Sequence, residues 1–469
     1  MLNFRNLRIS DHRFRFSLVV LSALITRLIY VTFTVDPEYD GYDRFVRGIF
    51  LISDPYNITH HWCWLPLFQY INAALYYLTR SYTAVRILST IYGVLSIIMV
   101  YFITLKITGS RDSSLLASVL LAFNPLIFFY DTTGMTEPLF TLLILISIYI
   151  FIGNRPYLFS LPIAVACLVR YEAWFLTPLL LLISVLQKRL RWTTALLTAL
   201  PPLASVSAWL YMNYICYGNP FMFVNLLSLY MASPKRGLFE VLRYLSIDES
   251  SFIGLKAFLI PIWYPLGCLF LLTPPVFFES IRGMIRYAGR DGNKITLTIL
   301  PIFYISLLTY FMFIGKSEGW LRYSMPIIPF FIIFSAHHVA EGYSFGGKRI
   351  FIASSFIISL LLLCMITTLS SSYISSTLQV SEWLNKHATD GRILCLRTPI
   401  IVISDLPLER FVFLWDQNLS RHAFINFLRK ENVSYIISYM GSFSHLCDDF
   451  QVVFISDGSV YKIYKFSNQ

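Results

Sequence analysis

Long apolar blocks, separated by short polar connections, run through most of this chain of 469 residues. The clearest of them cover residues 16–35, 87–105, 115–130, 192–212, 257–278, 295–314, 324–340 and 350–369. A helix needs about 20 apolar residues to cross a bilayer core about 30 Å thick, and irregular backbone cannot lie exposed to lipid. The sequence therefore predicts an all-α polytopic membrane protein with about eleven transmembrane helices.

The composition and the charge distribution agree with this class of protein. Charged residues make up 13% of the chain and hydrophobic residues 56%, whereas soluble domains carry about a quarter charged residues. The formal charge of +11 comes from short basic clusters between apolar blocks, as the positive-inside rule expects. We interpret it as an orientation signal with affinity for membrane lipids, and we expect no nucleic-acid partner. The seven cysteines have no metal-type spacing and are interpreted as packing residues.

The basic clusters also predict a topology. With a cytoplasmic N-terminus and a retained first helix, residues 36–86 form a first outer loop, and the connections 106–111, 154–155, 187–191, 282–294 and 346–349 are cytoplasmic. Each of these connections contains Lys or Arg. Residues 65–78 are apolar but too short for a span, and Pro66, Gln69 and Asn72 weaken them further. We therefore expect a helix on the outer membrane surface there, and further outer connections at 131–137, 170–172, 213–256 and 315–322.

The C-terminal part of the chain has a different pattern. A helical stretch at 380–387 precedes strand-like residues 392–397, and a second helix at 421–431 precedes strand-like residues 434–439, 451–455 and 459–466. This alternation predicts a small α/β domain. The predicted organisation is a transmembrane module at 1–370 and an extracytoplasmic α/β domain at 371–469.

Acidic residues are concentrated at the start of the first outer loop, where Asp36, Glu38, Asp40 and Asp43 lie within eight residues of one another. Carboxylates beside a spanning helix are costly unless they have a role. One role is to take a proton from an attacking hydroxyl, and another is to bind a hard divalent cation. The alternative is a solvated acidic loop with a Pro-Gly turn.

The second outer loop adds Asp131 and Glu137, the latter at the start of a helix with Pro138 in its first turn. A carboxylate in this position is stabilised by the helix dipole, whether or not it has a function. Two acidic loops on the same predicted face nevertheless form a stronger pattern than either loop alone.

Cationic side chains on the same face complete the pattern. Arg170 and Glu172 interrupt the apolar stretch 157–186, either as a structural ion pair or with Arg170 in a cavity that holds an anion. The planar donor fork of arginine suits phosphate. A second group consists of Lys316, Glu318, Arg322 and Tyr323, and residues 60–62 (HHW) belong either to one of these groups or to the interfacial aromatic belt. Acids for proton transfer beside cations for phosphate suit a polyprenyl-phosphate sugar. No nucleotide-phosphate loop is found in the sequence.

With these motifs in this order, the chain resembles the GT-C glycosyltransferases, particularly the dolichyl-phosphate-mannose-dependent mannosyltransferases and the bacterial aminoarabinose transferases. The resemblance covers most of the chain. It depends on the acidic residues 36–43 and on the segments 64–68 (WLPLF), 136–140 (TEPLF), 168–172 (LVRYE) and 322–329 (RYSMPIIP).

The resemblance implies a membrane hexosyltransferase that moves a sugar, mannose by family, from a polyprenyl-phosphate donor to a protein, glycan or lipid acceptor with inversion. It implies Asp40 as the base, with Glu38 and Asp43 as alternates, because the adjacent Asp-Glu pair common in these families is missing here. Glu137 and Asp131 would position the acceptor. Donor-phosphate binding is expected from Arg170, Arg322 and Lys316. No cofactor is expected, although one branch of the superfamily uses a divalent cation.

Two other classes of protein remain open at this stage. A secondary transporter or lipid flippase would carry inverted repeats and intramembrane charges, whereas the distinctive charges here crowd one predicted face. An inactive assembly subunit with a GT-C scaffold is the third reading.

Overall fold

The structure is a computed structural model that describes residues 4–231, 261–269, 272–287, 289, 291–317, 319–414, 420–439, 442, 446–447 and 450–466. The chain divides into two compact units. The membrane unit consists of Met1–Asp36 and Arg47–Leu363, and the tail unit consists of Pro37–Val46 and Cys364–Gln469. Glu318 and part of the predicted connection 213–256 lie outside the described residues.

The membrane unit is helical throughout its described part. In chain order its helices are α1 (Phe4–Phe33), α2 (Tyr39–Ser53), α3 (Leu67–Thr79), α4 (Thr83–Thr108), α5 (Arg111–Ala122), α6 (Pro125–Asp131), α7 (Glu137–Phe151), α8 (Ser160–Ala166), α9 (Glu172–Leu186), α10 (Trp192–Tyr217), α11 (Met222–Met231), α12 (Pro261–Leu269), α13 (Pro274–Tyr287), α14 (Gly292–Phe313), α15 (Ile328–Gly342) and α16 (Phe345–His387). Helix α2 begins in the tail unit, and α16 continues into it.

Membrane-spanning helices can be identified by length and apolar composition. Among the described residues, six helices are long and apolar enough to cross a membrane, and two bent pairs raise the number to eight if each pair is one span. Shorter apolar helices cover Glu137–Phe151, Pro156–Ala166 and Glu172–Leu186. The predicted polytopic helical architecture is confirmed, whereas the predicted number of about eleven spans is not confirmed.

One of the bent pairs corresponds to the apolar block 115–130, in which α5 and α6 meet at 61°. The Asn124 side chain accepts a hydrogen bond from the Ile127 amide at 3.0 Å and caps α6. Pro125 follows in the first turn, where the N–H that proline lacks would have no helical partner. The Asn-Pro pair therefore ends one helix and starts the next within the block.

Close helix packing surrounds α15, which continues a 3-10 segment at Leu321–Ile327. The span Leu321–Gly342, which combines the two, is 83% buried, so it lies in the interior of the membrane unit. Helix α13 packs against it through small residues: a Cβ on Gly283 would overlap the Phe334 carbonyl, and the Ser280 hydroxyl donates to the Phe331 carbonyl at 2.8 Å. Small residues allow this approach of two backbones. The 3-10 segment that carries Arg322 is thereby held on a well-packed helix.

The tail unit contains a five-stranded sheet in the order β2-β1-β3-β5-β4. Its strands are β1 (Arg392–Leu394), β2 (Phe411–Val412), β3 (Val433–Tyr439), β4 (Gln451–Ile455) and β5 (Tyr461–Lys465), with helices α17 (Thr398–Ile403) and α18 (Arg421–Lys430) between strands. Strand β1 pairs in parallel with β2 and β3, whereas β5 pairs antiparallel with β3 and β4.

The sheet confirms the predicted α/β tail domain. The predicted strand 451–455 has the observed bounds, and the predicted helix 421–431 differs from the observed α18 by one residue. Strand β2 was not predicted because its two residues carry no alternating pattern. A core including Leu394, Phe424, Leu428 and Ile436 fills the space between sheet and helix, which explains the apolar positions along these segments.

Candidate active site

Glu137 begins α7, where the second outer loop of the sequence prediction ends. Pro138 lies in the first turn of this helix, and Glu137 is the acidic residue of that turn, so the helix dipole favours its negative charge. The Glu137 side chain is 1% exposed. The Thr136 hydroxyl donates to its Oε2 at 3.3 Å. A carboxylate this deeply buried needs cationic partners.

The first partner of Glu137 is Arg170, which lies in the break between α8 and α9. Its Nη1 donates to Glu137 Oε1 at 2.8 Å, and its Nη2 donates to Glu172 Oε1 at 2.7 Å. Its Nε also donates to Glu172, at 3.2 Å. The guanidinium lies over the Tyr323 ring, 5.0 Å from the centroid. Arg170 therefore holds two carboxylates at once, as a planar fork of donors can do.

The second partner of Glu137 is Arg322, in the 3-10 segment before α15. Its Nε lies 3.6 Å from Glu137 Oε1, farther than the Arg170 nitrogen. The Arg322 guanidinium lies over the rings of Trp320 and Tyr323, 5.6 Å from each centroid. Tyr323 thus packs against both arginines, and Glu137 is shared by both.

These four charged side chains, which we call the arginine cluster, are Glu137, Arg170, Glu172 and Arg322. All four are buried or nearly so, with side-chain exposures between 1% and 12%. Two guanidinium groups and two carboxylates carry no net charge together when all are ionised. An anion that binds here would compete with a carboxylate for an arginine.

The first outer loop is anchored beside the arginine cluster. The Leu67 amide donates to the Leu168 carbonyl at 3.1 Å, and the Tyr171 hydroxyl donates to the Cys63 carbonyl at 2.9 Å. Tyr171 also stacks on Phe223 at 4.9 Å. Segments 64–68 and 168–172, which are about a hundred residues apart in sequence, therefore meet directly.

Asp36 connects the end of α1 to the second loop. Its Oδ2 accepts hydrogen bonds from the Tyr82 hydroxyl at 2.6 Å and from the Gly134 amide at 2.8 Å. Arg86 acts similarly, since it donates to the Thr132 carbonyl at 2.8 Å. Sequence reasoning did not single out either residue for this role. Asp36 was grouped with the other acids of the run 36–43, and position 86 was only the end of the predicted first outer loop.

The other three acids of the run 36–43 belong to the tail unit. Glu38 and Asp40 are half-buried, and Asp43 is buried. Asp40 lies in the first turn of α2, where the helix dipole stabilises its charge. The two half-buried carboxylates, Glu38 and Asp40, are the more accessible of the three.

Comparison with solved structures places this arrangement in a known fold. The structure of ArnT from Cupriavidus metallidurans bound to undecaprenyl phosphate matches with a TM-score of 0.65 at 10% identity, covering 97% of this chain and 98% of that one. The chain has the GT-C glycosyltransferase fold. The oligosaccharyltransferase of Archaeoglobus fulgidus in its apo form also matches, with a TM-score of 0.51 at 12% identity, covering 92% of this chain and 70% of that one.

Sequence comparison supports the same superfamily. The family model of dolichyl-phosphate-mannose-protein mannosyltransferases matches residues 64–160, which include the anchored loop segment and Glu137. No curated protein matches the chain in sequence. The family match and the GT-C fold together indicate a glycosyltransferase.

Two residues predicted for the site have other partners within this GT-C fold. Asp131, predicted to position the acceptor, is 1% exposed and accepts a hydrogen bond from Arg27 Nε at 2.9 Å. This pair joins α6 to α1, which favours a structural role. Lys316, predicted to bind the donor phosphate, is half-buried and donates to the Ser228 hydroxyl. The arginine cluster thus contains Glu137, Arg170 and Arg322 of the predicted set.

His61, left open between a site and the aromatic belt, is fully buried in the membrane unit. Its ring packs against Tyr70 at 5.1 Å and against Trp209 at 6.0 Å between centroids. Burial, with smaller effects of His60 and Arg47, lowers the pKa of His61 to about 4. His61 is therefore a neutral core residue, and it contacts Trp209, which packs in the same apolar cluster as Tyr171.

A metal site was left open by the acidic loop. In the part of the chain that the structure describes, no group of three or more His, Cys, Asp or Glu side chains could hold a metal ion.

Proposed function

We propose that this protein transfers a sugar, mannose by family, from a polyprenyl-phosphate donor to a protein, glycan or lipid acceptor, with inversion at the anomeric carbon. The observation that carries the proposal is the buried arginine cluster, which Glu137, Arg170, Glu172 and Arg322 form in a chain with the GT-C fold. Such a cluster offers phosphate-binding arginines within a membrane-embedded unit.

Support for the lipid-phosphate donor comes from the relatives. The matching mannosyltransferase family is described as dependent on dolichyl phosphate mannose, and the matching ArnT structure holds undecaprenyl phosphate. We assign the first phosphate contact to Arg322, because Arg170 already holds both Glu137 and Glu172. In this proposal Glu137 remains with Arg170, and Arg322 binds the leaving phosphate, whose negative charge grows as the glycosidic bond breaks.

For the chemical step we assign the base to Asp40. The acceptor hydroxyl oxygen attacks the anomeric carbon, its proton passes to the Asp40 carboxylate, and the bond from that carbon to the phosphate oxygen breaks. The polyprenyl phosphate leaves as an anion. Glu38 is the first alternate because it is equally half-buried, and Asp43 is less suited because it is buried.

The proposed location follows from charge asymmetry between connections. The chain is an integral membrane protein by its apolar helices and its fold. We propose a cytoplasmic N-terminus and an extracytoplasmic tail unit, since the basic connections then face the cytoplasm. The acceptor would accordingly be modified on the outer face.

The base is tested with purified protein in lipid nanodiscs, labelled polyprenyl-phosphate mannose and the variants Asp40→Asn, Glu38→Gln and Asp43→Asn. We expect Asp40→Asn to lower kcat by about 10²–10⁴-fold with little change in KM for the donor. Asp54→Asn, an exposed first-loop change, is the matched control. Full activity in all three variants would remove a first-loop base from the mechanism.

The phosphate contact is tested in the same assay. We expect Arg322→Ala to raise KM for the donor by about tenfold or more, because a charge-assisted contact contributes about 1.5–3 kcal/mol. Arg322→Lys should recover part of this, since lysine keeps the charge and loses the fork. An unchanged KM in both variants would contradict the assignment. Movement of the lipid across the membrane without sugar transfer would point to a flippase.

A further inference from the structure

The tail sheet contains a position where open α/β sheets commonly bind ligands. Strand β1 lies between its two parallel neighbours, β2 on one side and β3 on the other. The connection from β1 runs to one side, and the chain then crosses back to form β3. This reversal is a topological switch point, and the crevice lies beyond the carboxyl ends of β1 and β3.

The chain itself contributes a segment to this crevice. Leu396 and Arg397 follow β1, and Tyr439 is the last residue of β3. The hydroxyl of Tyr39 donates to the Leu396 carbonyl at 3.2 Å. The guanidinium of Arg397 lies over two rings, 3.5 Å from the centroid of Tyr439 and 4.7 Å from that of Tyr39.

The segment that carries Tyr39 is residues 37–46, which belong to the tail unit although the rest of that unit begins at Cys364. Tyr42 and Phe45 of this segment are 2% and 3% exposed. The segment is therefore packed into the tail unit and does not extend from it as a mobile loop.

The packing of Tyr39 against Arg397, which we call the Tyr39 seat, affects the proposed base Asp40 because the two residues are adjacent. Tyr39 is the first residue of α2 and Asp40 is the second, so fixing Tyr39 fixes the start of the helix that carries Asp40. Two cation–π contacts converge on Arg397, and such contacts are worth up to about 2 kcal/mol each when desolvated. Arg397 is thus the residue that joins Tyr39 to the end of β3.

We propose that Arg397 is a positioning residue for the transfer reaction: clamped against Tyr439, it seats Tyr39 in the crevice of the tail sheet and so orients the Asp40 carboxylate. This inference rests on the proposed function, in which Asp40 is the base.

The kinetic test uses the full-length protein with Arg397→Ala, Arg397→Lys and Tyr39→Phe. We expect Arg397→Ala to lower kcat about 100-fold, because a displacement of about 1 Å can cost that much, with KM for the donor changed less than twofold. Arg397→Lys should recover part of kcat, and Tyr39→Phe should lower kcat about fivefold through the lost hydrogen bond. Arg392→Ala, which breaks a partly exposed ion pair between β1 and Glu431 at the end of α18, is the control and should keep kcat.

A double variant separates positioning from general damage. If Arg397 acts through Asp40, Arg397→Ala combined with Asp40→Asn should be no slower than Asp40→Asn alone. Multiplying effects would overturn the proposal, as would equal losses of kcat in Arg397→Ala and Arg392→Ala.

A structural readout keeps this inference distinct from the proposed function. Arg44 is buried in the seated segment, so trypsin should cleave after it at least tenfold faster in Arg397→Ala than in wild type or Arg392→Ala. Unchanged cleavage would refute the seat. Faster cleavage of Arg397→Ala together with full activity of Asp40→Asn would support the contact of Arg397 with Tyr39 and reject Asp40 as the base.

Discussion

The buried pair of Arg27 and Asp131 allows a direct decision between a structural and an acceptor-binding role for Asp131. The two side chains are 0% and 1% exposed, and Arg27 Nε lies 2.9 Å from Asp131 Oδ2. The Arg27 guanidinium also lies 5.0 Å from the centroid of the Phe128 ring. The perturbations are Arg27→Met alone and Arg27→Met together with Asp131→Leu.

The expected magnitudes follow from the burial of both partners. Arg27→Met leaves a carboxylate buried without its cation, which typically costs about 3–5 kcal/mol. For a chain of this size we expect the midpoint of thermal unfolding to fall by about 5 °C. The double variant replaces both charges with apolar groups beside an aromatic ring, and such replacements are often neutral or stabilising.

Thermal unfolding in nanodiscs gives the stability, and sugar transfer gives the activity of each variant. A structural pair predicts an unstable single variant and a double variant with near-normal stability and turnover. A double variant that is stable but inactive would refute the structural reading and restore Asp131 as an acceptor-positioning residue. A single variant as stable as wild type would refute the reasoning about the buried charge.

Three further predictions concern the membrane unit. Gly93→Ala should destabilise the protein by about 2 kcal/mol or more, because the added Cβ would overlap the Asp131 carboxyl group. Gly346→Ala is the control, since the space around Gly346 is open, and it should be neutral or stabilising. Thermal unfolding measures both. Asp36→Asn should cost about 1–2 kcal/mol by weakening its hydrogen bonds with Tyr82 and the Gly134 amide, and an unchanged unfolding midpoint would contradict this. Burial lowers the pKa of His61 from 6.5 to about 4. Stability that is present above pH 6.5 should therefore be lost as the pH falls toward 4, by up to about 3 kcal/mol. His61→Phe should reduce this loss in a series of unfolding midpoints measured between about pH 4 and pH 7.

The residues that the sequence identified for the site fall into two groups in the structure. Glu137, Arg170 and Arg322 come together, and each lies at or just before the start of an apolar helix. A charged residue next to an apolar helix can be recognised from the sequence alone, because it marks the boundary of the apolar segment. Asp131 was predicted with them because it shares the same loop, but its position at the end of α6 directs it to Arg27.

Other features carried no signal in the sequence. Asp36 and Asp40 lie in one acidic run, yet Asp36 belongs to the membrane unit and Asp40 to the tail unit. The contact of Tyr39 with Arg397 joins positions more than 350 residues apart. Neither residue is unusual in its local surroundings, so local patterns could not pair them.

Apolar block length and basic connections determined from sequence alone that the chain is a helical membrane protein, because a bilayer imposes both patterns on any chain that crosses it. Strand-like segments predicted β1, β3, β4 and β5 of the tail in the same local way, whereas the two-residue β2 carried no such signal. Only the tertiary structure decided which charges pair, that Asp40 belongs to the tail unit and that Asp36 binds the second loop. Those choices depend on packing between distant segments, and a residue's neighbours in space are not encoded by its neighbours in the chain.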